Sequence, residues 1–391
     1  MSTVCVFHDG KGKLDPLTDL RPSFDIRTGA LTTLERMDRS FGITAGIWVP
    51  DEYRGMRCDH HDRPVNEITS KSVLCLNGRW VDAHDAADLD MNQALVCGDE
   101  VLAAHITAEQ AENFLRTGEL DPTVETTMAC AEKILHRPWD VIRFLSDMLQ
   151  KDLHLLDRGG SRVGEGVVVI GSHDIDISPA AKVYPTVVLD SEKGPIYIAQ
   201  NAVIRPRAII MGPAYIGPDT IIQDGAVIRP GVAFGPVCKV GGEVGSCIIQ
   251  GYSNKGHDGY LGDSYLGEWV NFGAGTITSN LKNTYGNVRA RNQADEQPQD
   301  TGLMYLGSIV GDHVKTAIGT RLLTGTVLMT GAQITDNVPP PKFVDRFAWI
   351  SPAGTSTYEI DKFITVAKRV LQRRNEQLPD PCVTRLRALH K

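Results

Sequence analysis

The stretch Ile222-Gln-Asp-Gly-Ala-Val-Ile228 contains one unit of the repeat that decides the fold of this 391-residue chain. A large apolar residue returns at every sixth position, and small, polar or proline residues fill the spaces between. The repeated positions are Ile198, Ile204, Ile210, Ile216, Ile222, Ile228, Phe234 and Val240. A period of six fits neither an α-helix nor an alternating strand. It predicts a solenoid in which each repeat forms one short strand and one turn, and stacked repeats bury a continuous apolar column.

The first 110 residues have a different pattern, in which short apolar strands alternate with helical segments. We predict strands at 4–7, 43–49, 72–76 and 94–97, and helices that begin at Thr33 and Ala108. Because strands and helices alternate, we expect an open, mainly parallel α/β sheet of the Rossmann-like type. Ligands of such sheets bind at the carboxyl ends of the strands.

Two further helices and the overall domain order follow from local signals. An apolar stripe predicts a helix over 138–156, and a second stripe follows the capping-box pattern Ser356-Thr-Tyr-Glu359. We expect a Rossmann-like domain over 1–120, a helical arm over 121–172, the solenoid over 173–340 and a C-terminal helical tail over 341–391. From Lys342 onward the tail holds ten Lys or Arg and five Asp or Glu, so it is basic.

Composition limits the classes of partner and compartment. The net charge of −8 argues against general affinity for nucleic acid, and no apolar run is long enough to cross a bilayer. The eight cysteines are scattered and contain no CxxC pair, which indicates reduced thiols in a cytoplasmic protein. The consecutive residues from Cys58 to Asp62 include two histidines, but their spacing does not place them on one face, so we assign no metal there.

The period of six breaks between Gly245 and Tyr260, and a recognisable motif follows the break. It comprises His257, Tyr260-Leu-Gly-Asp263, Leu266-Gly, Val270-Asn271, Gly273-Ala-Gly-Thr-Ile-Thr278 and Asn280. This run matches, without a gap, the pattern HxxYLGDxxIGxxVNIGAGTITxN. It resembles the acetyltransferase half of the bifunctional glucosamine-1-phosphate acetyltransferase / N-acetylglucosamine-1-phosphate uridyltransferase family. That family has a left-handed parallel β-helix, and hexapeptide-repeat proteins of this type are mostly trimeric acyltransferases.

The resemblance implies a role for each residue of the motif. His257 would be the general base that takes a proton from the substrate amine. Tyr260, Asn271 and Asn280 would hold the sugar phosphate, and Arg229, in Arg229-Pro-Gly231, matches the family's sugar-phosphate arginine. The remaining assignments are to acetyl-CoA: Ala274, Gly275 and Thr276 would contact the coenzyme.

One departure from the family's pattern concerns a lysine that binds substrate. The family places this lysine ahead of the histidine loop, where direct alignment puts Gly245. Lys239, Lys255 or Lys282 would have to serve instead. The acceptor sugar is therefore less firmly indicated than the acyl transfer.

A second, weaker resemblance lies in the first domain. The stretch from Gly10 to Thr18 resembles the GxGTRLxPLT phosphate loop of sugar-phosphate nucleotidyltransferases, with Lys13 in place of the Thr-Arg pair. Arg21 and Arg27 continue the match to a divergent branch with the pattern PLTxxRPxxxxRxG. The resemblance implies nucleotide binding by Gly10, Lys13, Arg21 and Arg27; a surface turn is the alternative. Asp99, after a strand and in a Gly-Asp pair, would hold Mg²⁺.

These features together predict a bifunctional enzyme. The β-helix would acetylate the amine of glucosamine-1-phosphate, and the first domain would use UTP to form UDP-N-acetylglucosamine, in a homotrimer that binds neither nucleic acid nor membrane. Three alternatives stay open: a nucleotidyltransferase alone, a zinc enzyme similar to the β-helix carbonic anhydrases, and a scaffold that binds sugar phosphate without turnover.

Overall fold

A computed structural model describes residues 3–56, 60, 62–129, 133–160, 163–336 and 338–390. The first domain is built on one six-stranded sheet with the order β2-β1-β3-β5-β4-β6. Its strands are β1 Thr3–Phe7, β2 Gly46–Trp48, β3 Ser72–Asn77, β4 Gln93–Cys97, β5 Glu100–Thr107 and β6 Glu125–Met128. Helices α1 (Thr33–Phe41) and α2 (Ala108–Thr117) each begin with a capping box and end at a left-handed glycine.

The sheet is mixed, which corrects the expectation of a mainly parallel one. Strands β1, β2 and β3 run parallel, but β5 runs antiparallel to both β3 and β4. Gly98 and Asp99 form a tight turn between β4 and β5, so the chain returns along the sheet instead of crossing it. Strand β6 extends the sheet beyond residue 120 and pairs in parallel with β4. Helix α3 (Asp140–Leu155) follows and confirms the helix expected there.

The solenoid has three parallel faces, as the six-residue period predicts, and it is a left-handed β-helix. The first face comprises β7 168–171, β10 188–191, β13 209–211, β16 227–228, β19 243–245 and β22 260–262. The second comprises β8 175–177, β11 196–198, β14 214–216, β17 232–234, β20 248–251, β23 265–268, β27 308–310, β30 326–328 and β32 343–344. The third comprises β9 182–183, β12 203–204, β15 221–222, β18 239–240 and β21 254–255, and continues through Asn271 to β28 315–316, β31 333–334 and β33 348–351. Strand β34 354–357 ends this face and pairs with β33 in the antiparallel direction.

One continuous apolar core fills the interior of the three faces. All eight repeat positions of the segment 198–240 lie in it, fully buried. Later apolar residues continue the column beyond the interruption: Leu266, Val270, Phe272, Val310, Leu322, Leu328 and Ile334. The repeat therefore works as predicted, because each side chain stacks on its equivalents in the coils above and below.

A loop of about 25 residues leaves the solenoid after Asn280 and returns at Leu306. Strands β24 (Ile277–Thr278) and β29 (Arg321–Leu322) pair on either side of this departure, and the loop itself holds the hairpin of β25 (Arg289–Ala290) and β26 (Gln299–Asp300). Val288, Ala290 and Leu306 pack against the first domain. The Asn292 amide donates to the backbone carbonyls of Lys13 and Asp15, at 2.8 and 2.9 Å. The loop thus fastens the two domains together.

The first domain packs along the second face of the solenoid. Outward side chains of that face, including Tyr215, Ile248, Tyr265 and Ile309, share one core with Leu14, Leu17 and helix α3. The C-terminal helices α4 (Ile360–Gln372) and α5 (Asp380–Leu389) pack against the last coils of the solenoid. Glu359 caps α4, whereas Ser356 lies in β34, so the capping-box pattern predicted the helix start but not its cap. No helix in the described ranges is long and apolar enough to cross a membrane.

Candidate functional site

The histidine loop lies at the corner where the third face passes into the first. Strand β21 ends at Lys255 and β22 begins at Tyr260, so the residues from Gly256 to Gly259 form the corner. His257 is exposed at the tip of this loop. An imidazole that faces solvent at a corner is accessible to a substrate on the first face, which is what the predicted base requires.

Lys255 anchors the loop from inside the protein. Its side chain is buried, and its ammonium donates hydrogen bonds to the carbonyls of Gly241, at 2.8 Å, and His257. Burial lowers the pKa of Lys255 to about 8. Because its side chain is buried and two of its three N–H groups donate to backbone carbonyls, Lys255 fixes the position of His257, and we do not include it among the groups that contact substrate.

A polar cluster on the first face connects three residues of the motif. The Asn280 amide donates to the Asp263 carboxylate at 2.6 Å and to the Tyr260 hydroxyl at 3.2 Å. Burial raises the pKa of both Asp263 and Tyr260. Gly262 is required here because the Tyr260 ring lies across it: a Cβ at Gly262 would stand 2.3 Å from the hydroxyl oxygen. The predicted ligands Tyr260 and Asn280 therefore lie together, and Asp263 joins them.

Arg229 lies on the same face, near the cluster. Strands β16, β19 and β22 pair in register, which aligns Val227 with Glu243 and Glu243 with Tyr260. The Arg229 guanidinium forms an ion pair with Glu243 at 2.9 Å, and both side chains are about half exposed. Glu243 was not predicted as a site residue. Its spacing from Arg229 is visible only once the coils are in register.

The predicted coenzyme residues lie at the same corner as His257, one coil further on. Gly275 donates its backbone N–H to the carbonyl of Asp258 at 3.2 Å, and Gly273 donates to Thr316. The Thr276 hydroxyl is buried and 2.8 Å from the Thr316 hydroxyl, which leaves it a structural role. Ala274 is exposed, and in the described part of the chain its N–H has no acceptor. That N–H is therefore available to a ligand beside His257.

Two other predicted ligands lie on the third face, across a corner from the cluster. Asn271 bridges β21 and β28, and its side chain accepts a hydrogen bond of 3.4 Å from Asn254, which is itself bound by Arg374. Lys239 is in β18 of that face and is half-buried. The structure thus groups Arg229, Tyr260 and Asn280, and separates Asn271 and Lys239 from them.

The first domain has a cavity of about 320 Å³ at the carboxyl ends of its parallel strands. Its lining includes Asp9, Gly10 and Lys11 after β1, Asn77 at the end of β3, and the end of helix α2. This is the position at which open α/β sheets bind ligands. Gly10 therefore lies where predicted, and Lys11, for which no role was predicted, is the cation of the loop that lines the cavity.

Two residues missed from the sequence shape this cavity. The carboxylate of Asp9 is held by Arg79, with 2.6 Å between the Arg79 Nη2 and the Asp9 Oδ2, and by the Asn77 amide at 2.9 Å. His8 accepts a hydrogen bond at Nδ1 from the backbone N–H of Ser23, so the proton of the neutral ring is on Nε2. Burial lowers the pKa of His8 to about 4 and keeps the ring neutral.

The remaining cations of the predicted phosphate loop are already paired. Arg21 is fully buried and donates to both carboxylate oxygens of Asp312 in the solenoid at 2.9 Å. Lys13 pairs with Glu296 at 2.5 Å. Arg27 is buried beside Tyr215 and contacts Glu35 at 3.6 Å. The predicted phosphate loop is therefore not open beyond Lys11. Lys13 and Arg21 form ion pairs with residues of the second domain, which the local sequence could not indicate.

Asp99 is exposed at the β4–β5 turn, beside the cavity. Lys11 donates to its backbone carbonyl at 3.2 Å, and among the residues that the structure describes its carboxylate has no hydrogen-bond or ion-pair partner. Mg²⁺ in such sites needs one or two carboxylates and takes its other ligands from water and phosphates. Asp99 fits that requirement. Cys58, Asp59 and His61 lie outside the described residues, and His60 contacts Asp25 at 3.2 Å.

Comparisons with known proteins identify both parts of the chain. Residues 4–161 match the family model described as sugar nucleotidyl transferase, and residues 195–230 match the bacterial transferase hexapeptide model of six repeats. The first match includes β6 and α3, so these elements lie within the matched domain, beyond the boundary expected at residue 120.

Curated relatives match smaller segments. A bifunctional sugar-1-phosphate nucleotidylyltransferase/acetyltransferase of Sulfurisphaera tokodaii is 35% identical over 144 residues, 36% of this chain and 35% of the relative. The bifunctional protein GlmU of Acidovorax ebreus is 38% identical over 135 residues, 33% of this chain and 24% of that protein. The chain spans about a third, or less, of the length of these relatives.

A solved structure of a Caulobacter crescentus perosamine N-acetyltransferase mutant covers 71% of this chain and 89% of its own, at 14% identity. Its TM-score is 0.19, too low to establish a shared fold. The chain combines a sugar nucleotidyl transferase domain with a solenoid of transferase hexapeptide repeats.

Proposed function

We propose that the solenoid transfers an acetyl group from acetyl-CoA to the amine of an amino-sugar phosphate, with His257 as the base. The observation that carries this proposal is the hydrogen-bonded cluster of Tyr260, Asp263 and Asn280 on the first face, which begins three residues after the exposed His257. The motif resembles that of glucosamine-1-phosphate acetyltransferases, and glucosamine-1-phosphate is therefore the first acceptor to test.

The arrangement supplies the groups that the reaction needs. The amine nitrogen attacks the thioester carbon, the C–S bond breaks, and the thiolate of coenzyme A leaves. His257 takes the proton from the amine and passes it on to the departing sulfur. The free N–H of Ala274, beside the histidine, is a suitable donor to the oxygen that becomes negative. The cluster on the first face would hold the sugar hydroxyls and fix the distance between amine and base.

The decisive experiment is incubation with acetyl-CoA and a panel of amino-sugar phosphates, reading the free thiol that is released. Release that depends on the acceptor supports the proposal. Binding of an acceptor without thiol release would favour the scaffold alternative. Stoichiometric zinc in the purified protein would favour the alternative related to β-helix carbonic anhydrases.

For the first domain we propose nucleotidyl transfer between UTP and a sugar 1-phosphate, which in the fullest form gives UDP-N-acetylglucosamine. The cavity at the strand ends would hold the nucleotide, and Asp99 would hold Mg²⁺ against its phosphates. Gly10 has a φ of +66°, and no atom lies within 4 Å of where its Cβ would be, so the backbone is open to a ligand there.

We expect Lys11→Ala to weaken UTP binding about tenfold, because a charge-assisted contact to phosphate contributes about 1.5 kcal/mol. Lys13→Ala is the matched control, since its ammonium is paired with Glu296 on the surface and contributes little. Calorimetric titration with UTP and Mg²⁺ measures both. A loss confined to Lys13→Ala would show that the ion pair opens and that the original assignment of Lys13 holds.

We also propose a homotrimer, in agreement with the resemblance. Nothing in the described chain covers the first face, whereas the first domain covers the second. Large apolar side chains are exposed on and beside the first face, including Val168 at 50%, Ile277 at 41% and Ile318 at 73%. Exposed apolar side chains on an uncovered face support an interface with other copies of the chain. Sedimentation equilibrium should give three times the mass of one chain, and a monomer at micromolar concentration would contradict the proposal.

A further inference from the structure

The charge of the cluster on the first face does not suit a phosphate. Arg229 is neutralised by Glu243 at 2.9 Å, and Asp263 adds a carboxylate, so the local charge is negative. A second cation cannot be introduced at Gly245, where a Cβ would stand 2.7 Å from the Cβ of Arg229. Two carboxylates beside hydrogen-bonding groups suit the hydroxyls of a sugar, and the anionic part of the acceptor must be bound elsewhere.

A group of three cations lies at the corner of the solenoid where the first face passes into the second, in coils nearer the C-terminus than the polar cluster. This basic cluster consists of Lys282 and Arg291, in the loop that follows Asn280, and Lys342, just before β32. None of the three forms an ion pair with a carboxylate among the residues that the structure describes. The Lys342 ammonium reaches Thr324, whose neighbour Gly325 donates its backbone N–H to Leu306, and Leu306 donates to Asn280, two residues before Lys282. Burial and then repulsion from Lys282 lower the pKa of Lys342. Uncompensated cations in a chain of net charge −8 mark a site for an anion.

Contacts within the structure hold each cation in place. The Lys282 ammonium donates to the Asn287 carbonyl at 2.9 Å, and the Lys342 ammonium reaches the Thr324 hydroxyl at 3.5 Å. The Arg291 guanidinium lies 5.0 Å from the centre of the Phe343 ring. The loop that presents Lys282 and Arg291 is in turn fastened to the first domain through Asn292.

The backbone hydrogen bonds give the separation between the two clusters. Gly307 donates to the Asp263 carbonyl, Gly325 donates to Gly307, and Lys342 follows one coil later. Neighbouring coils are spaced by about 4.8 Å. The Lys342 side chain reaches back by one coil to Thr324, so its ammonium lies two coils, or about 10 Å, from Asp263 along the solenoid axis. A phosphate bonded directly to the sugar ring stays beside the ring. A diphosphate that continues into a nucleoside extends away from it and spans this separation.

Two exposed tyrosines lie in the same loop as Lys282. Tyr285 follows in the turn, with its backbone N–H bonded to the Lys282 carbonyl, and is 67% exposed. Tyr305 bridges to Leu281, next to Lys282, and is 48% exposed. Exposed aromatic rings beside phosphate-binding cations are the groups on which bases stack. They favour a nucleoside as the continuation of the anion.

We infer that the acetyl acceptor is a nucleoside diphosphate amino sugar, with its sugar hydroxyls at the cluster of Tyr260, Asp263 and Asn280, its amine toward His257, and its diphosphate at Lys282, Arg291 and Lys342. This inference rests on the acetyl transfer proposed above. It also sets the order of the two reactions: nucleotidyl transfer in the first domain comes before acetylation in the solenoid. The resemblance implies the opposite order.

The test compares UDP-glucosamine with glucosamine-1-phosphate as acceptors for the wild type and the double variant Lys282→Ala/Lys342→Ala. We expect the wild type to have a kcat/KM at least tenfold higher for UDP-glucosamine. The double variant should raise the KM for UDP-glucosamine about 10- to 100-fold, with little change in kcat or in the KM for acetyl-CoA. Lys193→Ala, which removes an exposed lysine near the other end of the solenoid, is the control and should behave as the wild type.

Three outcomes would overturn the inference. Equal kcat/KM for the two acceptors would show that the nucleotide is not recognised. An unchanged KM for UDP-glucosamine in the double variant would show that the basic cluster does not bind the acceptor. A rise in the KM for acetyl-CoA alone would assign the cluster to the diphosphate of the coenzyme. If no acceptor is turned over, acetyl transfer itself fails, and calorimetric binding of UDP-glucosamine to wild type and double variant still decides whether the cluster binds a sugar nucleotide.

Discussion

His257→Ala is expected to lower the kcat for acetyl transfer by about 10²- to 10⁴-fold, the usual effect of losing a general base. An ammonium has no lone pair, so the reaction waits for the amine to lose its proton. The fold should be unaffected, because His257 is exposed and the loop is held by Lys255 through backbone carbonyls. Thiol release under saturating acetyl-CoA and acceptor measures the rate.

The pH dependence separates loss of a base from loss of a contact. Raising the pH increases the fraction of acceptor whose amine is already neutral, so the rate of His257→Ala should recover in part above neutral pH. His173→Ala is the matched control, since His173 is also an exposed histidine beside the solenoid and lies outside the site. A His257→Ala variant with wild-type turnover at neutral pH would contradict the assignment of the base.

Asp312→Ala is expected to destabilise the protein by about 3–5 kcal/mol, the usual result of removing one partner from a buried ion pair. Arg21 and Asp312 are each 1% exposed. A second carboxylate, that of Glu268, lies 3.4 Å from the Arg21 guanidinium. Without Asp312, the buried guanidinium keeps only the more distant carboxylate. Urea denaturation measures the change, and nucleotidyl transfer should decline in parallel, because Arg21 belongs to the segment that leads from the cavity.

Two controls test the explanation by burial. The double variant Arg21→Met/Asp312→Leu replaces both charges with apolar groups and should recover most of the lost stability. Asp224→Ala removes a carboxylate whose partner, Arg205, lies at 3.4 Å on the surface, and should cost less than about 1 kcal/mol. If Asp312→Ala were no more destabilising than Asp224→Ala, the ion pair between the domains would not contribute to folding.

The solenoid could be predicted from the sequence because its core depends on a local rule. Every sixth residue faces inward, whatever the rest of the chain does, and the eight positions from Ile198 to Val240 are buried accordingly. The direction of a strand has no such rule. Residues 100–107 are apolar enough for a strand, but only the two-residue turn at Gly98 and Asp99 shows that β5 runs back beside β3.

The candidate site could be predicted only in part, for a related reason. Tyr260 and Asn280 are in one motif, and the repeat brings them together. Whether a basic residue is free or buried depends on partners far along the chain. Arg21 meets Asp312, which is 291 residues away, and Lys255 turns inward to Gly241. Their charges indicated ligand binding, and their burial instead gives them structural roles.

The contacts of the C-terminal segment with the first domain have a consequence for the order of folding during synthesis. Asp19 is fully buried under Arg346, with 2.6 Å between the Asp19 Oδ1 and the Arg346 Nη2, and Arg385 donates to its carbonyl. Cys382 belongs to the core that contains β1 and α1. Domains of a growing chain usually fold from the N-terminus onward. Here the first domain lacks part of its core until Cys382 and its neighbours have been added, so its native state is completed only after the whole solenoid has been synthesised.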